Sequence, residues 1–138
     1  MDTETKMILV VDDNPITARW VGYLTGRVGF SVVLASNGEE AVNRLAEQQF
    51  AAVISDVEMP GMNGFELLQN IRLLYPEMPV ILMTVFCDGK RREAARAWGA
   101  QALLEKPVNM DQLTELFSGG QEAHRNDSVE GLHVFAVP

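Results

Sequence analysis

Five short runs of apolar residues punctuate this chain, and after each one the apolar positions change to helical spacing. The runs are Met7–Val11, Ser31–Ala35 and residues 52–54, 80–83 and 102–104. Brevity and flanking polar residues make each one a strand, with β-branched content in all but 102–104, and Met7–Val11 and 52–54 read as buried on both faces. Between them, Asn14-Pro15 supplies a cap and a first-turn proline for a helix on which Ile16, Trp20, Val21 and Leu24 recur at helical spacing. Gly29 closes that connection, and Asn37-Gly38-Glu39-Glu40 opens a second helix with an inner stripe of Ala41, Val42, Leu45 and Ala46. Phe65, Leu68, Ile71 and Leu74 mark a third that stops before Pro76. The fourth, from Gly89 to Trp98, is charged and alanine-rich and ends at Gly99. Asn109 caps a fifth that carries Met110, Leu113, Leu116 and Phe117. Five strands alternating with five helices across short connections predict an α/β fold, a doubly wound parallel sheet covered on both faces.

That topology has a chemical consequence. Right-handed crossovers put the carboxyl end of every strand on one rim, where ligands collect in open α/β sheets. Asp12 and Asp13 follow the first strand, Asp56 follows the third, Thr84 ends the fourth and Lys106 follows the fifth. Pro60-Gly61 and Asn63-Gly64 then turn the chain sharply away from Asp56. Three carboxylates in one pocket repel, each pair by about 4 kcal/mol at ~4 Å and an effective dielectric of about 20. A hard divalent cation relieves that repulsion, and all-oxygen ligation points to Mg²⁺. A metal-bound carboxylate beside an ammonium and a hydroxyl suits attack on a phosphoryl group, with an aspartyl phosphate as product. Taken singly, an Asp-Asp pair, a terminal Thr or a Lys before Pro is an ordinary cap, turn or surface charge. Their joint placement at strand ends, in this order, is what indicates a site.

Composition narrows the function classes. The chain of 138 residues is one domain of ordinary size, and its 47% hydrophobic content fits a soluble protein. A formal net charge of −8 argues against a nucleic-acid surface and for a cation or a basic partner. No apolar run is long enough to span a membrane, and the polar start from Met1 to Lys6 lacks a signal peptide's apolar stretch, so the expected location is the cytoplasm. A single cysteine, Cys87, rules out an internal disulfide.

Val10-Val11-Asp12-Asp13, the stretch from Ser55 to Gly64, Thr84 and Lys106-Pro107 together resemble the receiver domain of two-component response regulators. The resemblance covers about residues 7 to 118. It implies a flavodoxin-like fold with strand order 2-1-3-4-5 and a phosphoryl group accepted on Asp56 from a histidine kinase or histidine phosphotransfer protein. It also implies Mg²⁺ bound directly by Asp13 and Asp56 and by the Glu58 backbone carbonyl, with Asp12 acting through water. By the same resemblance, Lys106 would pair with the phosphoryl oxygens, Thr84 would move to hydrogen-bond them, and a cis peptide bond would precede Pro107. Output through the fourth helix, fifth strand and fifth helix is implied as well, towards a downstream protein or a second copy of the chain. Neither direct nucleic-acid binding nor membrane association is expected. Three departures from the pattern involve four residues: Leu103 where an aromatic switch residue is frequent, Val85 after the Thr where a small residue is usual, and Glu58 with Phe86 at the variable positions flanking the phosphoryl site.

The plan is therefore a receiver domain over residues 1–118 and a tail over 119–138, a linker with one candidate strand in 132–137. Disorder is the favoured reading of that tail, and pairing with a sheet edge or a partner is the alternative. Lys90-Arg91-Arg92 reads as a solvated face, with a docking surface as the alternative. Met59 and Met62 read as loop packing, Cys87 as an incidental thiol, Trp20 and Trp98 as core or rim packing, and His124 and His133 as isolated. A receiver is expected not to be an enzyme beyond its own phosphorylation and slow dephosphorylation. One rival is a receiver cut from a larger regulator or hybrid kinase. Another, a phosphatase of the haloacid dehalogenase type, needs its nucleophilic Asp first in the chain, whereas here the acid pair precedes Asp56.

Overall fold

Each strand alternates its side chains between two apolar layers, and that alternation places the helices. In the computed structural model, which describes residues 6–118 and 129–135, strand β1 (Met7–Val11) sends Ile8 and Val10 to one face and Leu9 and Val11 to the other. β3 (Ala52–Asp56), β4 (Val80–Thr84) and β5 (Ala102–Glu105) do the same with Ile54 and Val53, Ile81 and Leu82, and Leu104 and Leu103. Helices α1 (Pro15–Arg27) and α5 (Met110–Phe117) cover the first face with Val21, Leu24, Leu113 and Leu116. Helices α2 (Gly38–Glu47), α3 (Gly64–Leu74) and α4 (Gly89–Ala97) cover the second with Ala41, Leu45, Leu67, Leu68, Ile71 and Ala95. β2 (Ser31–Ala35) lies on one edge, which is why its pattern is the least buried of the parallel strands. The parallel order β2-β1-β3-β4-β5 is the expected one.

The tail adds a strand. β6 (Leu132–Val134) pairs antiparallel with β5, matching Leu104 to Leu132 and Ala102 to Val134. Buried Gln112 fixes it by donating its side-chain N–H to the carbonyls of Glu105 and Gly131, at 3.1 and 3.0 Å. Gly131 is required there: its φ is 79°, and a Cβ would lie 2.6 Å from the Gln112 nitrogen. The edge-pairing alternative therefore holds for residues 132–134, and disorder does not. Residues 119–128, with the expected linker and His124, and residues 136–138 lie outside the described residues.

Helical spacing alone misplaces some stripes. Ile16 and Trp20 are 71% and 46% exposed, and the buried face of α1 is Ala18, Val21, Leu24 and Thr25. Ile16 and Trp20 instead line the cleft at the carboxyl ends of the strands. Ala46 and Leu74 are likewise exposed, and Leu67 takes the inner position on α3. Among the described residues no helix is long and apolar enough to cross a membrane.

Candidate functional site

The strand ends deliver the acids as the topology requires. Asp12 follows β1 directly, and its carboxylate is divided between two tasks: Oδ1 accepts from the Asn14 amide at 2.9 Å, and Oδ2 lies 3.0 Å from Lys106 Nζ. Asn14 in turn caps α1 through Ile16 and Thr17. Lys106 crosses 94 positions of sequence to reach Asp12 and also sits 3.1 Å from Asp56 Oδ1. It arrives there because its own amide donates to the Thr84 carbonyl at 2.8 Å, extending the β4–β5 pairing beyond the strand end. The Lys106–Pro107 peptide bond is cis.

Asp56 is 4% exposed, and its Oδ1 has no hydrogen-bond partner, since the Lys106 contact lacks hydrogen-bond alignment. Burial pushes its carboxyl up to about 6 against the opposing pull of Lys106, and the charges of Asp12 and Glu58 push the same way as burial. For the Lys106 ammonium, burial works against the charge, but its hydrogen bond to Asp12 and the negative charges of Asp12 and Asp56 outweigh it and hold its pKa above the ordinary lysine value. Asp13 sits exposed at the mouth, and oxygens of Asp12, Asp13 and Asp56 lie within 4.8 Å of one another. Three carboxylates against one ammonium leave two uncompensated negative charges around an unsatisfied oxygen. That donor set fits a hard divalent cation such as Mg²⁺.

The loop after Asp56 is held close by Gly64. Its amide donates to the Val57 carbonyl at 2.8 Å, and a Cβ there would come 2.3 Å from the Asp56 carbonyl oxygen. A cleft of about 590 Å³ opens over the acids, walled by Ile16, Trp20 and Val85. Trp20 is fixed at the rim by an indole N–H donated to the Val108 carbonyl at 2.9 Å.

Thr84 is fully buried at the same rim and points elsewhere. Its hydroxyl lies 3.1 and 3.0 Å from Glu58 Oε1 and Oε2, to which it donates, and it accepts from the Phe86 amide at 3.0 Å. Arg91 Nε donates to the same Glu58 Oε2 at 3.0 Å, and its guanidinium lies 5.0 Å from the Phe86 ring centroid. Arg91 is therefore tied back to the site and is not part of a solvated face. Arg92 donates to the Cys87 carbonyl, and only Lys90 of the three is simply exposed. Spacing carries no signal for this; Asp88, the N-cap, accepts from the Arg91 amide at 2.9 Å, which fixes where α4 starts and turns Arg91 towards the loop. Burial pushes the Cys87 thiol up, away from reactive thiolate character, in keeping with an incidental cysteine. Leu103, at the position of the missing aromatic, is fully buried in the core.

A family model described as the response regulator receiver domain matches residues 8–118. The sensor histidine kinase RcsC of Escherichia coli (strain K12) is 36% identical over 114 residues, covering 83% of this chain and 12% of RcsC. The chain thus spans about an eighth of the length of that curated relative. Among solved structures, the chemotaxis protein CheY4 of Vibrio cholerae is similar with a TM-score of 0.76 and 30% identity, covering 83% of this chain and 98% of that one. The response regulator TrrA of Thermotoga maritima, solved in complex with Mg(2+)-BeF, has a TM-score of 0.74 and 32% identity, covering 83% and 97%.

Proposed function

The chain belongs to the response regulator receiver domain family, and from that premise we propose that it accepts a phosphoryl group on Asp56 from a phosphohistidine and signals through the loops at the same rim. The observation that carries this reading is Lys106 placed between Asp12 and Asp56, with Asp56 Oδ1 unsatisfied. A carboxylate with a pKa of about 6 is ionised at neutral pH and remains a nucleophile. Its oxygen attacks phosphorus, the bond from phosphorus to the donor imidazole nitrogen breaks, and that electron pair stays with the nitrogen. Lys106 neutralises the phosphoryl oxygens without moving far. The family binds Mg²⁺ at its acidic pocket, and here Asp13, Asp56 and the Glu58 carbonyl would hold the ion, with Asp12 acting through water. Bound there, it supplies charge neutralisation for the transferring group.

The donor is a histidine kinase or a histidine phosphotransfer protein. Output goes to a downstream protein or a second copy through α4, β5 and α5. Because β6 lies along β5, such a partner meets α4, α5 and β6 unless it displaces that strand. A receiver carried within a longer regulator or hybrid kinase agrees with the small share of RcsC that the chain spans. The cytoplasm, where such donors work, is the proposed location. Catalysis is confined to the chain's own phosphorylation and slow dephosphorylation, and sustained turnover of a generic phosphate ester would oppose that.

The test is acyl-phosphate labelling by a small phosphodonor with Mg²⁺. Labelling is expected in the native chain and absent in Asp56→Asn or after chelation. Undiminished labelling of the variant would refute the assignment.

A further inference from the structure

Glu58 lines the cleft over the acids, yet its carboxylate is paired with Thr84 and Arg91. Both of its oxygens lie within hydrogen-bond reach of the Thr84 hydroxyl, at 3.1 and 3.0 Å, and one also accepts from Arg91 Nε at 3.0 Å. Arg91 is gripped a second time by Asp88, whose Oδ2 lies 3.3 Å from Nη1, and its guanidinium covers Phe86. One carboxylate therefore joins the end of β4, the loop after β3 and the first turn of α4.

We propose that Glu58 is a positioning residue for Thr84: its carboxylate holds the hydroxyl and Arg91 together in the unphosphorylated chain, and a phosphoryl group on Asp56 has to take Thr84 from it. This rests on Asp56 being the phosphoacceptor. A phosphoryl group carries nearly two negative charges and three strong acceptor oxygens, so it outcompetes a single carboxylate for one hydroxyl donor. Once Thr84 turns, Glu58 loses the partner that fixed it, and its like charge is repelled by the new dianion. Arg91 is then released with Phe86, and the first turn of α4 is the surface that changes. The latch biases the resting state without locking it, because the Arg91–Glu58 pair is partly exposed and so weak.

A competing physical account gives Glu58 a simpler part, that of a negative charge repelling phosphate, with Arg91 as its neutraliser. The two differ in sign at Arg91. The probe is beryllofluoride with saturating Mg²⁺, a stand-in for the phosphoryl group, titrated into the full chain. With Glu58 acting as a latch, Arg91→Ala binds the probe roughly threefold to tenfold more tightly than the native chain. The gain disappears in Thr84→Ala, where no hydroxyl remains to be released, and returns in Thr84→Ser. An NMR signal from the Arg91 Nε–H should also be protected in the free chain, and be lost in Glu58→Ala and on saturation with the probe. Weaker or unchanged binding by Arg91→Ala, a gain of equal size in Thr84→Ala, or an Arg91 signal unaltered by the probe would each overturn the proposal. Failure of the underlying reading looks different: the native chain would not bind the probe, or Asp56→Asn would bind it equally well.

Discussion

Two halves of one rim hold their charges in opposite ways. Around Lys106 the groups are buried and aimed at the place where phosphorus would sit, with Asp12 and Asp56 at 3.0 and 3.1 Å from one ammonium. Around Arg91 the groups are half exposed and occupied with one another, and Thr84 donates away from Asp56. The first half is built for chemistry that needs no rearrangement. The second is built to rearrange, since partly exposed ion pairs are weak enough to exchange partners. Proximity to the nucleophile therefore does not by itself make a residue preorganised: Lys106 and Thr84 come from adjacent strand ends, yet only Lys106 is in position.

The hardest way to break this contrast is at Lys106. Lys106→Met should slow phosphoryl transfer from a small donor on the order of 100-fold, the scale for losing one preorganised electrostatic partner. Mg²⁺ binding should persist, because the acids remain and a competing cation is gone. A transfer rate within a few fold of native, measured at saturating Mg²⁺, would show that the ammonium is not preorganised for the reaction.

The cradle is also strained in a way the other half is not, and pH exposes it. Asp56 has a pKa of about 6 in the fold, raised chiefly by burial, against an unfolded value of 3.8. Between those values the folded state keeps a proton that the unfolded state has lost. Stability therefore falls as pH rises through that window and stays lowered above about 6. Asparagine carries no charge to bury. In Mg²⁺-free buffer at pH 7.5, Asp56→Asn should be more stable than the native chain by on the order of 2 kcal/mol, allowing for the partner Lys106 loses. The gain should vanish below about pH 4. Urea denaturation across pH checks it, and a pH-independent difference would point to packing and not to charge.

The cradle was legible in the sequence and the latch was not, for a physical reason. Asp12, Asp56, Thr84 and Lys106 each stand where an apolar run ends, and the handedness of crossovers gathers such ends on one rim without further information. Arg91 reaches Glu58 across 33 positions between two loops, where no periodicity exists to be read. Which member of Lys90-Arg91-Arg92 turns inward depends on the rotation of α4, set by the Asp88 cap at one end and buried Ala95 further along. Ile16 and Trp20 show the same limit: spacing counts apolar residues and does not say which of them face the sheet and which line the cleft. β6 was only half legible, because its place depends on Gln112 and Gly131, two residues with no apolar signature.

Asp88 sharpens the comparison at a smaller scale. It caps α4 and also holds Arg91, so Asp88→Ala should lower global stability slightly, through the lost N-cap. The equivalent cap at Asn14 is tied to the cradle through Asp12. Its loss should slow phosphorylation, whereas loss of Asp88 should leave the transfer step intact and loosen only the first turn of α4. Amide exchange of residues 89–92 reads the difference, and slower transfer in Asp88→Ala would blur the two halves into one.

Phe86 should give the smallest effect and the most specific one. Its ring is 60% exposed and contributes little to the core, so the main loss in Phe86→Ala is the face beneath the Arg91 guanidinium. An exposed cation–π contact is worth about 0.5–1 kcal/mol, and the cost to global stability should be no greater. The Phe86 amide donates to Thr84 Oγ1 through the backbone, so the substitution leaves that hydrogen bond available and does not touch the hydroxyl's bond to Glu58. Arg91 should become more mobile while Thr84 stays where it is. Side-chain relaxation measured on both residues separates those outcomes: a Thr84 that loosens together with Arg91 would mean that the ring, and not Glu58, is what holds the rearranging half of the rim together.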